Sequence, residues 1–482
     1  MTNRPPPALT RRTFLASAGA AIAAAGGLSP LPTVPRARAE NLREFRLTLG
    51  TGSARIAPEP YPETEVWAYN GTVPGPEIRV RQGERLRIVA ENGLDEPTTV
   101  HWHGMRVPNA MDGVPGVTQD AIAPGNRFVY EFDAVDAGTF WYHPHQRSFE
   151  QVARGLSGAL VVEEAEPLRV DRDVTWVLDD WRLTQAAAIE GDFGNAHDAI
   201  HAGRVGNTVT VNGRIPDRFA VRRGERIRLR LVNVANARIF GLAFAGHEPL
   251  VVALDGQPVE PHAPEGGRIV LGPAMRADIV LDMTGRTGER YTVADTFYEG
   301  LEYRLTDLAY GGEALREHAP DWPVALAANP LAEPDLDAAE RHEVVFNGGM
   351  MAGMRMQGAD GREAGSMMAM MREGTFWFIN GKAATGMDME PVLTLRRNRS
   401  HIVSMVNRTG WYHPMHLHGH SFRVISRNGV PTARREWQDT VLVGPEERVE
   451  VALVADNPGD WMFHCHILEH QAAGMMAVIR VA

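Results

Sequence analysis

Short runs of alternating apolar and polar residues occupy most of the chain. Runs such as 226–231 and 449–454 place apolar side chains at every second position, and Gly, Pro, Asn or Asp residues separate one run from the next. This alternation predicts strands with one buried face, joined by tight turns. We therefore predict an all-β fold built from antiparallel sandwiches.

The same arrangement occurs three times along the chain. In each case an Asn-Gly turn leads into a strand pattern that ends on an asparagine. A second turn follows, and then a proline with an arginine three residues later. Such repeated spacing is typical of one structural unit used several times. The three asparagines are Asn92, Asn233 and Asn407, and the three arginines are Arg127, Arg276 and Arg448.

The repeats predict three β-domains, at 40–165, 166–315 and 340–482. Residues 316–339 are rich in alanine, proline and acidic residues, and we predict that they link the second domain to the third.

The amino-terminal residues 1–39 have a different character. Arg11-Arg12 precede a small-residue apolar stretch, and Ala37-Arg38-Ala39 matches a small-x-small cleavage site. This combination is typical of a twin-arginine export signal. We therefore predict that the mature protein is periplasmic.

Composition excludes several classes of partner. The chain has 482 residues and a formal net charge of −11, and an acidic protein is a poor ligand for nucleic acid. Outside the first thirty residues no apolar run is long enough to span a bilayer, so we expect no membrane partner. The single cysteine excludes an intramolecular disulfide.

Histidines distinguish the first and third repeats from the second. A His-x-His pair stands nine residues after Asn92 and again after Asn407, and each of these repeats carries a second pair further on. The middle repeat has none, so we interpret it as a spacer. Residues i and i+2 of a strand face the same side, so each pair presents two imidazoles to one point. Eight clustered imidazoles indicate copper, zinc, iron or nickel. They are His101, His103, His143, His145, His416, His418, His464 and His466.

The single thiol discriminates among these metals. It lies between two of the histidines, so on an extended strand its sulfur faces the opposite side, toward a second site. Two histidines, one cysteine and a weak axial methionine form the ligand set of a blue-copper centre. The predicted ligands of this second site are His413, Cys465, His470 and Met475.

Together these motifs resemble the three-domain bacterial multicopper oxidases of the laccase type, over the whole mature chain. The resemblance implies cupredoxin-like Greek-key sandwiches and four copper ions: one type 1, one type 2 and two type 3. The blue-copper residues would be the type 1 site, and His101 and His416 would hold the type 2 ion. The implied type 3 ligands are His103, His143, His145, His418, His464 and His466.

The resemblance also implies the reaction and its partners. One-electron oxidation of phenolic or aromatic donors is coupled to the four-electron reduction of dioxygen to water, and we expect the protein to act as a monomer. Asp112 matches the family's acid beside the copper cluster. Gln471 stands where many relatives have a glutamate, so the proton relay must differ, and Glu469 is the candidate replacement.

A methionine-rich segment at 350–371 leaves the donor open. Thioethers bind cuprous ions, so Cu(I), and also Mn(II), are candidate metal-ion donors beside the organic ones. Flexible packing is the alternative reading of the methionines. Copper-oxidising relatives place an acid and a methionine where this chain has Thr409 and Trp411. The alternative functions are a periplasmic cuprous oxidase for copper tolerance and a non-catalytic copper-binding protein.

Overall fold

The computed structural model describes residues 41–349, 367–384, 386 and 389–482, and the side chains of 367–369 are not considered. The predicted export signal at 1–39 and most of the methionine-rich segment lie outside the described residues.

The first repeat forms two four-stranded sheets. One has the order β2-β1-β4-β6 and the other β3-β8-β7-β5. The strands are β1 (Leu42–Ala54), β2 (Thr64–Tyr69), β3 (Gly75–Arg81), β4 (Arg85–Asn92), β5 (His101–His103), β6 (Arg127–Asp133), β7 (Gly138–His143) and β8 (Gly158–Glu163).

The second repeat forms a six-stranded and a five-stranded sheet. Their orders are β10-β9-β12-β17-β14-β15 and β11-β19-β18-β13-β16. The strands are β9 (Arg172–Trp181), β10 (Thr208–Val211), β11 (Arg218–Val221), β12 (Arg226–Asn233), β13 (Phe240–Phe244), β14 (Leu250–Leu254), β15 (Gln257–His262), β16 (Ile269–Leu271), β17 (Arg276–Asp282), β18 (Arg290–Asp295) and β19 (Tyr303–Tyr310).

The third repeat forms a seven-stranded and a five-stranded sheet. Their orders are β21-β20-β23-β29-β25-β26, with β27 beside β25, and β22-β31-β30-β24-β28. The strands are β20 (Glu340–Gly348), β21 (Trp377–Ile379), β22 (Pro391–Leu395), β23 (Ser400–Asn407), β24 (His413–Leu417), β25 (Phe422–Arg427), β26 (Val430–Pro431), β27 (Trp437–Gln438), β28 (Thr440–Val443), β29 (Arg448–Val454), β30 (Gly459–Cys465) and β31 (Met476–Val481).

Helical structure is short among the described residues. Two 3-10 turns cover Asn109–Met111 and Glu265–Gly267, and no described helix is long and apolar enough to cross a membrane. The α-helices are α1 (Ser148–Gln151), α2 (Ala196–Ile200), α3 (Met367–Glu373) and α4 (Leu468–Ala472). The all-β prediction is confirmed.

The three repeats share one strand pairing. Strands β5, β13 and β24 each pair antiparallel with β7, β18 and β30, respectively. The register is the same in the first and third repeats, where His101 faces His143 and His416 faces His464, and in the middle repeat Leu242 faces Asp295. The middle repeat therefore keeps the framework of the other two without their imidazoles.

The Asn-Gly pairs explain how each repeat turns at the same point. Asn70, Asn212 and Asn380 have φ of 53°, 52° and 51°, and the glycine after each has φ of 72° or 73°. Positive φ at both central residues is the requirement of a type I′ hairpin turn, and Asn-Gly meets it at the lowest steric cost.

Each repeat buries its own apolar core between its two sheets. The core of the third repeat also takes in Ala199 and Ile200 of α2 and Met370 of α3. Residues of the middle repeat thus pack directly against the sandwich that carries Cys465.

Candidate metal centre

Eight imidazoles converge at the ends of strands in the first and third repeats. Only the pair His101 and His103 lies wholly within one strand; each of the other three pairs begins on β7, β24 or β30, and its second histidine follows the strand's last residue. All eight residues are at most 1 % exposed, and they are His101, His103, His143, His145, His416, His418, His464 and His466.

Backbone carbonyls fix the tautomer of several of these rings. The Nδ1 atoms of His101, His416 and His464 donate to the carbonyls of Asp112, Asp439 and Cys465 at 2.7, 2.9 and 2.9 Å. A carbonyl only accepts, so each of these Nδ1 atoms carries the proton and each Nε2 presents a lone pair to the interior.

These lone pairs have no hydrogen-bond donor to satisfy them among the described residues. Nε2 of His101 and of His416, and Nδ1 of His103, are buried without any partner. Nε2 of His418 lies 3.2 Å from Nε2 of His464, and the Nδ1 of His418 donates to the Asp112 carboxylate at 2.9 Å. Two facing lone pairs repel each other, and buried nitrogens without partners destabilise the fold. A cation bound in this interior would relieve both effects.

Several triads of ligand atoms overlap in this interior, and two of them share no residue. His103, His143 and His466 lie within 4.8 Å of one another, and so do His145, His418 and His464. Neutral imidazole is a good ligand for copper, and two triads with His101 and His416 left over provide for three ions. The donor set therefore fits a trinuclear copper centre.

Burial favours the neutral form of seven of these eight imidazoles. It lowers the pKa of His103, His145 and His418 well below the ordinary value, and the neighbouring imidazoles lower it further. The same holds for His143, His464 and His466, and burial also lowers the pKa of His416. A neutral ring is the form that binds a metal.

The second group of ligands lies on the other face of β30. Sγ of Cys465 is 3.5 Å from Nδ1 of His413 and 3.8 Å from Nδ1 of His470, and the two Nδ1 atoms are 3.3 Å apart. Met475 is fully buried, and its backbone carbonyl accepts from the Cys465 amide at 3.1 Å. Burial raises the pKa of the Cys465 thiol and lowers that of His470 to about 3.

Hydrogen bonds orient both histidines of this group. Nε2 of His413 donates to the Thr409 hydroxyl at 2.8 Å, and Nε2 of His470 donates to the backbone carbonyl of His201 at 2.6 Å. Each Nδ1 therefore faces the thiol as a lone pair. Trp377 packs against the His470 ring, 4.2 Å between centroids, so solvent does not reach it.

Two carboxylates flank the trinuclear cluster. The carboxylate of Asp112 accepts from His418, and its carbonyl accepts from His101. Asp439 repeats this arrangement on the other side: Oδ1 lies 3.2 Å from Nε2 of His103, and its carbonyl accepts from His416. No motif in the sequence marks Asp439, and its role is visible only after folding.

Asp439 is itself held by the middle repeat. Arg276 donates to both of its carboxylate oxygens, at 2.8 and 2.6 Å. Burial alone would raise the pKa of Asp439, but the Arg276 guanidinium outweighs it and the net pKa is lowered. Burial and the charge of Asp439 raise the pKa of Asp255 to about 7. The interpretation of the middle repeat as a spacer is therefore incomplete.

Among the described residues, Glu469 makes no hydrogen bond to the eight clustered imidazoles. Its carboxylate accepts from the backbone amide of Arg204 at 3.0 Å and from the Asn236 side chain at 2.8 Å. Burial raises its pKa to about 6. Gln471, two residues further, accepts from the Ser148 hydroxyl at 3.3 Å.

Comparisons with known proteins agree with this chemistry. Family models described as multicopper oxidase match residues 51–167, 172–314 and 362–482. The multicopper oxidase MmcO of Mycobacterium tuberculosis is 32% identical over 95% of this chain and 92% of its own. Laccase-2 of Fomitopsis schrenkii is 30% identical over 96% and 91%.

A solved structure of a multi-copper oxidase is also similar to this chain. The multi-copper oxidase from Pseudomonas thermotolerans superposes with a TM-score of 0.80 and is 36% identical, covering 92% of this chain and 99% of that one. The family uses four coppers, dioxygen and an electron donor. On its sequence, its fold and its two histidine-lined metal centres, the chain belongs to the multicopper oxidase family and is a copper-dependent oxidase.

Proposed function

We propose that the protein is a laccase-like oxidase of phenols and aromatic amines. The observation that carries the proposal is an aromatic cavity of about 350 Å³ beside the thiol-containing site. Its walls include Ile239, Phe297, Tyr298, Trp411, Tyr412 and Ile467.

The cavity adjoins the thiol site through three segments. Ile467 donates its amide to Sγ of Cys465 at 3.4 Å, and Trp411 stands two residues before His413. Ala202 follows His201, whose carbonyl binds His470. A planar donor in this cavity would therefore lie close to Cys465, His413 and His470, the residues proposed to hold the type 1 copper.

The lining matches an aromatic donor. Phe297 and Tyr412 form an edge-to-face pair with centroids 5.5 Å apart, which offers apolar surface to a flat ring. The indole N–H of Trp411 is buried and has no partner among the described residues. Arg268 and Glu299 add charged groups at the cavity wall.

We propose the following ligand assignment. His413, Cys465, His470 and Met475 hold the type 1 copper, and His101 and His416 hold the type 2 copper. Copper at these centres supplies one-electron oxidation of the donor and reduction of dioxygen to water. The type 3 coppers are held by His103, His143, His145, His418, His464 and His466.

The surrounding residues then have separate tasks. The carbonyls and carboxylates of Asp112 and Asp439 hold the ring protons away from the metal positions and so present lone pairs inward. Asp112 has one carboxylate oxygen, Oδ1, that makes no hydrogen bond among the described residues, so it is the group that can take up or release a proton beside the cluster. Glu469 remains a second candidate for proton transfer.

Oxygen uptake by the copper-loaded protein tests the proposal. We expect uptake with a methoxyphenol, and we expect Tyr412→Ala to raise KM for the phenol while the blue absorption is unchanged. Tyr61→Ala is the matched control, because Tyr61 is an exposed aromatic outside the cavity. No uptake with any phenol or aromatic amine would contradict the laccase assignment.

A second candidate is oxidation of Cu(I), favoured by the methionines at 350–371. Deleting 350–366 keeps Met370, which is buried in the core of the third repeat. If Cu(I) is the donor, the deletion lowers uptake with Cu(I) and leaves uptake with phenol intact; Mn(II) is tested in parallel. A non-catalytic copper-binding protein would bind copper and take up no oxygen with any donor.

We also propose export to the periplasm through the twin-arginine route and action as a monomer. The Arg11-Arg12 pair and the Ala37-Arg38-Ala39 site support export. Replacing both arginines by lysine should retain the protein in the cytoplasm, and light scattering of the mature protein should give the mass of one chain.

A further inference from the structure

Asp439 is tied to the middle repeat through a fully buried network. Arg276 donates to both carboxylate oxygens of Asp439, and Asp255 accepts from the Arg276 amide at 2.9 Å. The other oxygen of Asp255 accepts from the amides of Asp439 and Thr440 at 3.3 and 3.1 Å. Asp255 and Arg276 thus hold both the side chain and the backbone of Asp439.

The network ends on two of the cluster imidazoles. Oδ1 of Asp439 lies 3.2 Å from Nε2 of His103 and 3.3 Å from Nδ1 of His416. The Thr440 hydroxyl, which donates to Oδ1 of Asp439 at 2.8 Å, lies 3.1 Å from the same two ring nitrogens. The nitrogens of these rings that face the interior are the unpartnered Nδ1 of His103 and Nε2 of His416.

Gly104 shows how closely the guanidinium approaches the metal-binding strand. Its φ is 82°, and a Cβ at this position would collide with Nη2 of Arg276 and with Oδ2 of Asp439. Only glycine after the first His-x-His pair leaves room for the ion pair.

The two flanking carboxylates differ in this respect. Asp112 and Asp439 make equivalent contacts to the cluster, but a guanidinium from the middle repeat binds only Asp439 among the described residues. The second repeat therefore contacts only the carboxylate of Asp439, on one side of the histidine cluster, among the described residues.

We propose that Arg276 and Asp255 are positioning residues for the type 2 and type 3 copper ligands. They fix Asp439, and Asp439 fixes the rings of His103 and His416. The proposal rests on the ligand assignment proposed above. Without the bidentate ion pair the carboxylate can rotate. His103 then loses the acceptor that selects its tautomer, and His416 keeps the Asp439 carbonyl but loses its contact with the carboxylate.

Substitution of the arginine tests this inference on the copper-loaded protein. Arg276→Lys keeps the charge but cannot donate to both oxygens in the same plane. We expect type 2 copper to be bound about 10- to 100-fold more weakly and its EPR hyperfine splitting to change. The type 1 absorption and KM for the phenol should stay at wild-type values while kcat falls.

Arg228→Lys is the matched control. Arg228 is also buried in the middle repeat, where it donates to both oxygens of Glu164 and to Asp278, and it has no contact with the cluster. This variant should lose stability and keep the wild-type type 2 signal. A purely structural role for Arg276 predicts the same behaviour in both variants.

Two outcomes decide the matter. If Arg276→Lys retains the wild-type copper content and type 2 spectrum, the inference is wrong. If that variant does not fold, Asp255→Asn replaces it, and an unchanged type 2 spectrum in Asp255→Asn overturns the inference equally. Failure of the ligand assignment is distinguishable, because then the wild-type protein itself shows no type 2 signal.

Discussion

At the scale of single residues, the ligand assignment proposed above makes the thiol of Cys465 the group on which the blue colour and the oxidase activity depend. Cys465→Ser removes the only described thiolate ligand, so we expect loss of type 1 copper, with three of the four coppers retained. Blue absorption and oxygen uptake should both disappear. Absorption spectra and copper analysis of the purified protein check this.

The control for that variant is Met475→Leu. The axial methionine of a blue-copper site is a weak ligand, so this variant should stay blue, with a changed reduction potential. A colourless Met475→Leu protein, or a blue Cys465→Ser protein, would contradict the assigned roles.

The buried carboxyl of Glu469 should make the unfolding free energy of the protein depend on pH. Burial raises its pKa from 4.5 to about 6, so the folded protein binds its proton more tightly than the unfolded chain does. Stability from this group is present below pH 4.5 and is lost as pH rises through 6, by about 2 kcal/mol in all. We expect the unfolding free energy of the wild type, relative to Glu469→Gln, to fall by this amount between pH 4 and pH 7.

The difference between the two proteins is the useful quantity, because pH-dependent copper binding is common to both. Denaturant unfolding at each pH measures it. A constant difference across the range would mean that Glu469 titrates near its ordinary value.

At the scale of elements, α2 is the segment that shields the thiol site. The Trp377 indole donates to the carbonyl of Ala199 in this helix at 2.6 Å. Trp377→Phe leaves that buried carbonyl unpaired, so we expect a loss of about 1–3 kcal/mol in unfolding free energy and a shifted type 1 spectrum. Thermal unfolding and EPR measure the two effects.

Trp181→Phe is the comparison for this variant. The buried Trp181 indole donates to the Thr210 hydroxyl at 3.0 Å, away from the copper ligands. A similar destabilisation without any change at the type 1 site is expected. If both variants leave the type 1 spectrum unchanged, α2 has no part in shaping that site.

The strands that carry the predicted ligands could be predicted from the sequence, because the patterns that mark them each span only a few residues. His-x-His spacing, the thiol between two histidines and the repeated Asn-Gly turns are all read within a few residues, and the imidazoles of β5 and β24 do meet. Asp439 could not be found in this way, since its partners Arg276 and His103 lie 163 and 336 residues away in sequence. The carbonyl of His201 carries no sequence signal at all, because every residue type offers one.

At the scale of the whole molecule, buried ion pairs join the repeats. Arg228 on β12 pairs with Glu164, which follows the last strand of the first repeat, and with Asp278 on β17. Arg228→Met leaves the Glu164 carboxylate buried without its partner, so we expect a loss of about 3–5 kcal/mol. Denaturant unfolding of the copper-loaded protein measures it.

The double variant Arg228→Met/Glu164→Gln removes both charges. Replacing a whole buried pair costs less than breaking it, so the double variant should recover much of the lost stability. If the double variant is as unstable as Arg228→Met alone, packing rather than charge explains the loss.

The hydrogen bond between His470 and the backbone of His201 has a consequence for how the choice of reductant and the proposed copper ligands could vary independently. The His470 ring ends on a peptide group of the middle repeat, so on the proposed function a reductant in the aromatic cavity would contact main chain and cavity wall rather than the ring itself. The choice of reductant could then change through the residues of that wall while the proposed copper ligands stay the same.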